Sequence, residues 1–281
     1  MCCDAPLLID YLVIGHICAD LQPDGSTRLG GTALFAAHAA HQLGLRVAIM
    51  TACAADLDLS ALPAAVQVLR QPSPATTIFE NRYDANARTQ LVHARAAAID
   101  VAQVPPDWAS APVVHLAPIL HDVAPATARR FRSALVGVTP QGLLRDVTPD
   151  RLVTTDPAAL LDQDWAGVRV VVLSEEDVQG DERPVRALAR QVPLVVLTRA
   201  ERGATVLVAQ QRHDVPALPA AVVDPTGAGD VFAAAYLAAL WRGGDPLHAA
   251  RWACAAAAHA IEGVGTRTLP TTAQVEQRLR Q

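Results

Sequence analysis

Short runs of apolar residues alternate along the chain with alanine-rich stretches. The runs are LLIDYLVIG at 7–15, RVAIM at 46–50, VVHL at 113–116, VRVVVL at 168–173 and PLVVLT at 193–198. Continuous apolar runs of this length fit strands buried on both faces. Between them the pattern predicts helices at about 31–43, 124–134, 184–191, 228–242 and 246–262. Gly44 follows the first as a C-terminal cap, while Asp245 and Pro246 open the last as N-cap and first helical residue and Gly263 closes it. This alternation predicts an α/β fold of the doubly wound class, a mostly parallel sheet flanked by helices on both faces. Two segments break it, 16–29 (HICADLQPDGSTRL) and 75–97 (ATTIFENRYDANARTQLVHARAA). The second reads as a hairpin, TTIFENRY and RTQLVHAR about the turn residues Asp84, Ala85 and Asn86. Together they predict a small β appendage, with an ordinary surface excursion as the alternative. No internal repeat or linker is visible, so residues 1–281 are expected to form one domain with a discontinuous lid.

Composition narrows the chemistry. All 23 basic residues are arginine, so a pyridoxal Schiff base and a Walker-type lysine are both excluded. A net charge of −5 with scattered arginines offers no footprint for nucleic acid or an anionic membrane surface, which leaves small soluble ligands as the expected partners. The apolar stretches 228–241 and 253–261 are too short or too interrupted to cross a bilayer, and Asp4 and Asp10 stand where a secretory leader would be basic. A cytoplasmic location is expected. Five cysteines without a C-x-x-C pair suggest reduced, mostly buried thiols and no zinc site. His38 and His41 share a helix face but lack a third ligand, Arg129, Arg130 and Arg132 read as a solvated face, and Trp241, Trp252 and Phe232 read as core.

The run VVDPTGAGDVFAAAYLAALWRGG at 222–244 carries the most chemistry. It predicts a strand ending at Asp224-Pro225, a turn through Thr226, Gly227, Ala228 and Gly229, and a long helix with Asp230 in its first turn. Unpaired N–H groups and the positive dipole end of such a helix bind anionic oxygens, and the glycines admit a phosphate close to the backbone. Asp230 is then placed to take a proton from an attacking hydroxyl. An ordinary carboxylate that stabilises a helix start is an equal reading of the spacing alone.

The segment DPTGAGDVF at 224–232 resembles the carboxy-terminal signature of the PfkB/ribokinase carbohydrate kinases. GHICAD at 15–20, LGGTALFAA at 29–37, VHLAPI at 114–119, VVLSEEDV at 171–178, VVLTRAERGA at 195–204 and AHAIEGVGT at 258–266 extend the resemblance over nearly the whole chain. The resemblance implies a ribokinase-like fold and transfer of the ATP γ-phosphoryl group to a sugar or polyol hydroxyl, with Mg²⁺ on the phosphates. It makes Asp230 the base and the amides of Gly227, Ala228 and Gly229 the anion hole. Thr198, Gly203, Thr226, Gly227 and Gly229 would contact the nucleotide, and Asp20, Gly30, Gly31, Phe35, Arg145 and Asp230 the acceptor. The segments 16–29 and 75–97 would be the lid, which in this family commonly pairs with its copy in a homodimer.

Departures from the family pattern bear on the details. Its N-x-x-E metal motif reads Ser174-Glu175-Glu176-Asp177 here, leaving Asp177, or Glu176 in its place, to act on the metal through water. The nucleotide loop Thr198-Arg199-Ala200-Glu201-Arg202-Gly203 has lost its first glycine. Phe35 stands where ribokinases place a sugar-binding asparagine, and the short Asp20-to-Gly30 spacing with QGLLR at 141–145 is closer to the myo-inositol kinase branch. Arg145 would reach polyol oxygens with its planar fork and Asp20 would accept from vicinal hydroxyls, although both could equally be structural. A nucleoside or vitamin alcohol as substrate, and a silent ligand-binding protein on the same fold, are the alternatives.

Overall fold

The computed structural model describes residues 8–84 and 87–281. Cys2, Cys3 and Asp4, and Ala85 and Asn86 of the expected turn, lie outside the described residues. The chain opens with β1 (Tyr11–Ile14), β2 (Cys18–Leu21), β3 (Thr27–Gly30), α1 (Thr32–Gln42), β4 (Val47–Cys53) and β5 (Gln67–Pro72). There follow β6 (Ile78–Asp84), β7 (Ala87–Ala94), α2 (Pro106–Ala109), β8 (Val113–Leu116), β9 (Leu135–Val138), β10 (Arg145–Val147) and β11 (Val153–Thr155). The chain ends with β12 (Val170–Ser174), α3 (Arg183–Leu188), β13 (Leu194–Thr198), β14 (Ala204–Val208), β15 (Gln211–Val215), α4 (Ala228–Trp241), α5 (Pro246–Ala260) and α6 (Thr272–Leu279).

Nine strands form the main sheet in the order β15-β14-β13-β12-β9-β8-β1-β4-β5. Strands β13 to β5 pair in parallel, and β14 and β15 extend one edge antiparallel. The two faces are covered unequally. Helices α1, α4 and α5, almost solid alanine where they meet the sheet, cover one face. Their small side chains let helix backbones approach the strands closely, and α4 and α5 pack against each other. The opposite face is covered by α2, α3 and short 3-10 turns around Phe131, Leu144, Leu160 and Trp165.

The segment expected as a helix at 124–134 is instead a 3-10 turn over Pro125–Arg130. It must reach Leu135, whose N–H bonds Pro112 O at 2.8 Å to start β9, and a 3-10 turn advances ~2.0 Å per residue against 1.5 Å in an α-helix. Trp241 is also corrected. It is the last residue of α4 and 37% exposed, beside the strand starts Leu135 and Leu194, whereas Trp252 and Phe232 are buried. No strand precedes the glycine turn, since Val222 and Val223 are 64% and 61% exposed. The segment runs past the sheet and is tied to helix α5 through the N–H groups of Val223 and Asp224, both on Ile261 O. Helix α5 does end near Gly263, but its C-cap is Ile261. Cys18, Cys53 and Cys254 are free and buried.

The appendage is a four-stranded mixed sheet, β3-β2-β6-β7, built from the two segments the sequence set apart. It springs from the carboxyl end of β1, and His16 fixes its root. The His16 N–H donates to Asp122 Oδ2 at 2.9 Å, while its ring lies 3.1 Å from Thr77 Oγ1 and 2.8 Å from Ala97 O. Asp122 also accepts from the Ile119 and Leu120 N–H groups, so one buried carboxylate joins the lid root to the loop after β8. No helix among the described residues is long and apolar enough to cross a membrane.

Candidate active site

The carboxyl ends of parallel strands leave their last side chains and the following loops facing one crevice, the usual ligand position in open α/β sheets. Here Thr139 after β9, Ser174 at the end of β12 and Thr198 at the end of β13 meet Thr32 of α1 and Gly229 and Asp230 of α4 around one small cleft. Gln141 and Asp177 complete its wall.

Gly227 is the N-cap of α4 with φ 78° and ψ 2°, in the left-handed region, so the chain turns sharply from Pro225 into the helix. A Cβ at this position would lie 2.3 Å from Phe35 Cδ1, so the ring of Phe35 fills the space a side chain would need. Phe35 is 5% exposed and packs against the turn. Gly229 has open space where its Cβ would be and borders the cleft. Asp224 accepts from the N–H groups of Thr226 at 3.0 Å and Gly265 at 3.2 Å, and Arg28 of the lid lies 3.9 Å from it. Thr226 itself is exposed.

Asp230 is half-buried and accepts a hydrogen bond from Thr32. Burial pushes its pKa up to about 6, against the opposing pull of the Thr32 hydroxyl and Arg145 and with a further push from Asp177. A carboxylate tuned close to neutrality is a better general base than one at its ordinary value, provided it remains mostly ionised. Arg145, 8% exposed at the start of β10, lies with its guanidinium 5.7 Å from the Phe79 ring centroid and reaches Ile119 O at 3.4 Å. Asp20 of β2 accepts from Asn81 Nδ2 at 3.5 Å, and Gln90 Nε2 holds Asn81 Oδ1 at 2.9 Å. The chain folds tightly behind Asp20, for a Cβ on Gly30 would meet Asp20 Oδ2 at 2.4 Å. Gly31 takes φ 95° as the N-cap of α1.

The Ser174–Asp177 turn separates the two carboxylates considered for metal. Asp177 is buried on the cleft wall, with Oδ1 accepting from Gln141 Nε2 at 3.0 Å and Oδ2 from Ser174 N at 2.8 Å. Glu176 is exposed and outside the cleft lining. Glu175 points the other way, onto Arg199 at 2.9 Å and onto Arg202. Arg199 is itself buried, bonding Thr205 Oγ1 at 2.8 Å and Glu182, so the nucleotide-loop variant is an ion-paired girder beside the cleft. Ala200 takes φ 49° where the family motif has glycine. Gly203, with φ 87°, packs against the backbone of 215–217, where a Cβ would lie 2.1 Å from Val215 O. Its need for glycine is therefore explained by the fold alone.

Among the described residues no cluster of three or more His, Cys, Asp or Glu side chains could cage a metal. The donors present fit a cation carried mainly by phosphates and water, touched by Asp177 through water, which is the usual habit of Mg²⁺. Thr32, Thr139 and Gln141 were not singled out by the sequence as site residues. Thr32 directly follows the glycine pair and Gln141 opens the QGLLR segment, so those two had a signal nearby. Thr139 had none.

Residues 172–273 match the model of the pfkB family carbohydrate kinases. A cytidine kinase of Thermococcus kodakarensis is 29% identical over 271 residues, spanning 84% of this chain and 90% of the relative. A pyrophosphate-dependent kinase in the ribokinase family, solved with a pyrophosphate analog and myo-inositol, superposes with a TM-score of 0.73 at 20% identity over 95% of this chain and 99% of its own. The nucleoside kinase of Burkholderia thailandensis, solved with inosine, gives 0.73 at 21% identity over 96% and 97%. The two solved structures establish the ribokinase fold. The match to the pfkB family model falls on the part of the chain that carries Asp177, Thr198 and the glycine turn, so the chain is similar to these kinases in its local motifs as well as in its fold.

Proposed function

We propose that this chain transfers the γ-phosphoryl group of ATP to a hydroxyl of a nucleoside, cytidine first among them. The observation that carries the reading is Asp230, held by Thr32 at the start of α4 beside the open backbone of Gly229, with its pKa raised to about 6. In this reading Asp230 takes the acceptor's proton, and the amides of Gly227 and Gly229 face the negative charge that builds on the transferred group. The Ala228 N–H, expected to join them, is instead given to Pro225 O at 3.2 Å, which closes the turn. Mg²⁺ on the phosphates would neutralise part of their charge, with Asp177 holding one of its waters. Asp20 and Arg145 face the acceptor, and the lid formed by β2, β3, β6 and β7 excludes water that could compete for the phosphoryl group. The choice of a nucleoside is supported by the Thermococcus relative, which spans most of the chain.

A second reading, a polyol such as myo-inositol as acceptor, is favoured by the myo-inositol-bound neighbour and by Phe35, which is packed under Gly227 and presents no amide to a sugar. Coupled ADP release with cytidine, inosine, ribose and myo-inositol distinguishes them. Cytidine or another nucleoside should give the highest kcat/KM. Preference for myo-inositol by tenfold or more would transfer the assignment to the polyol, and silence on every alcohol would leave a ligand-binding protein.

A further inference from the structure

A polar chain runs through the core of the main sheet to the floor of the cleft. Tyr11 at the start of β1 and His115 in β8 are both fully buried, with Tyr11 Oη 2.9 Å from His115 Nδ1. On the other side of the ring, His115 Nε2 lies 3.1 Å from Thr139 Oγ1. The Tyr11 ring meets the imidazole edge-on, with centroids 6.0 Å apart and planes at 89°, so the histidine has little freedom to turn. Thr139 is 7% exposed, and its remaining face opens on the cleft between Ser174 and Asp230. An imidazole and a phenol in the middle of an aliphatic sheet are costly to bury, and only a satisfied pair of hydrogen bonds offsets that cost.

The direction of these bonds follows from counting hydrogens. His115 is neutral, because burial drives its pKa down to about 3, so one ring nitrogen donates and the other accepts. Among the described residues, His115 Nδ1 is the one recorded partner of the Tyr11 hydroxyl. If Nδ1 carried the proton, it would donate to the Tyr11 oxygen and strand the phenolic hydrogen in the core. Tyr11 therefore donates to Nδ1, the ring proton sits on Nε2, and Nε2–H donates to Thr139 Oγ1. The hydrogen of Thr139 then has no use on the histidine side.

We propose that Tyr11 and His115 are positioning residues that fix the Thr139 hydroxyl as a donor aimed into the cleft, onto an oxygen of the phosphoryl group in transfer. The inference rests on the kinase reading for the identity of that oxygen. Its direction rests on the relay alone. A hydroxyl held in one orientation needs no reorganisation when charge develops, which is what makes a preorganised donor effective.

The test combines one spectroscopic and one kinetic measurement. Nitrogen-15 NMR of the wild-type histidine rings should show His115 as the Nε2–H tautomer, and an Nδ1–H tautomer would overturn the relay. Thr139→Val should lower kcat roughly ten- to hundredfold while the acceptor KM changes less than about threefold, and Thr139→Ser should restore most of the rate. Tyr11→Phe touches nothing in the cleft, yet it should lower kcat roughly three- to tenfold in the wild type and have no further effect in the Thr139→Val background. Wild-type kcat in folded Thr139→Val, or full additivity of the two substitutions, would also overturn it. Wild-type protein inert on every alcohol would overturn the kinase reading and with it the phosphoryl partner of Thr139. The tautomer would still be decided by its own measurement, so the two failures are distinguishable.

Discussion

Replacing Asp230 by asparagine should inactivate this protein and stabilise it at the same time. The carboxyl is held in a site that lifts its pKa from the ordinary 3.8 to about 6. At ~1.4 kcal/mol per tenfold change in proton affinity, keeping it ionised in the folded state costs ~3 kcal/mol at neutral pH. The sign is that of a raised acid. Between pH 3.8 and 6 the folded chain binds more protons at this site than the unfolded chain, so the group's contribution to stability falls as pH rises and reaches its full cost above 6. Asparagine keeps the size and can still accept from the Thr32 hydroxyl, but carries no charge to bury. The variant should gain up to ~3 kcal/mol at pH 8, which for a chain of this length raises Tm by ~5 °C, and should gain almost nothing near pH 4. The same change removes the base, and general-base contributions run to ~10²–10⁴-fold in kcat. Scanning calorimetry of both proteins at several pH values, with kcat and ATP affinity beside it, gives all the quantities needed. A variant that is less stable at pH 8, or one whose advantage is independent of pH, would refute the account of Asp230 as a strained, desolvated carboxylate. Wild-type kcat would remove its role as the base.

Arg145 lowers the pKa of Asp230, so Arg145→Met should move the acid limb of the kcat/KM profile to higher pH and raise the acceptor KM; an unmoved limb would disconnect the two groups. His115 is held neutral with its pKa near 3 against an ordinary 6.5. Its contribution to stability is therefore complete above pH 6.5 and is lost as pH falls towards 3, and urea titrations should show a shallower acid dependence in His115→Gln, with equal slopes refuting the assignment. Gly227→Ala should cost ~2–4 kcal/mol, from left-handed backbone strain together with the collision with Phe35. Phe35→Leu on that background should recover part of the loss in chemical denaturation, whereas no recovery would show that Phe35 does not fill the space under the turn.

Strands β1, β4, β8, β12 and β13 and helices α1, α3, α4 and α5 could be read from the sequence because they are set by local periodicity. Runs such as VVHL and PLVVLT have no polar face, so only a sheet covered on both sides can hold them. The Asp245 cap is equally local, its carboxylate accepting from Leu247 N and His248 N within one turn. The helix start at Asp230 was legible for the same reason, since a glycine turn ahead of an alanine helix states its own geometry.

Features that depend on distant partners were beyond reach. The 124–134 segment has acceptable helical residues, but the reach it must make to the start of β9 favours the more extended 3-10 turn over Pro125–Arg130. Trp241 reads as core by composition, yet its helix ends at the sheet margin. Phe35 sits at a position tied by resemblance to the acceptor, and its contact with Gly227, 192 residues away, is visible in neither segment alone. Asp20 meets Asn81, Arg145 comes under Phe79, and Thr139 joins His115 and Tyr11 across three strands. Sequence specifies which side chains carry charge or a hydroxyl and how each local segment turns. Tertiary packing alone decides which of them share a site, because desolvation and hydrogen-bond direction are set by neighbours far away along the chain.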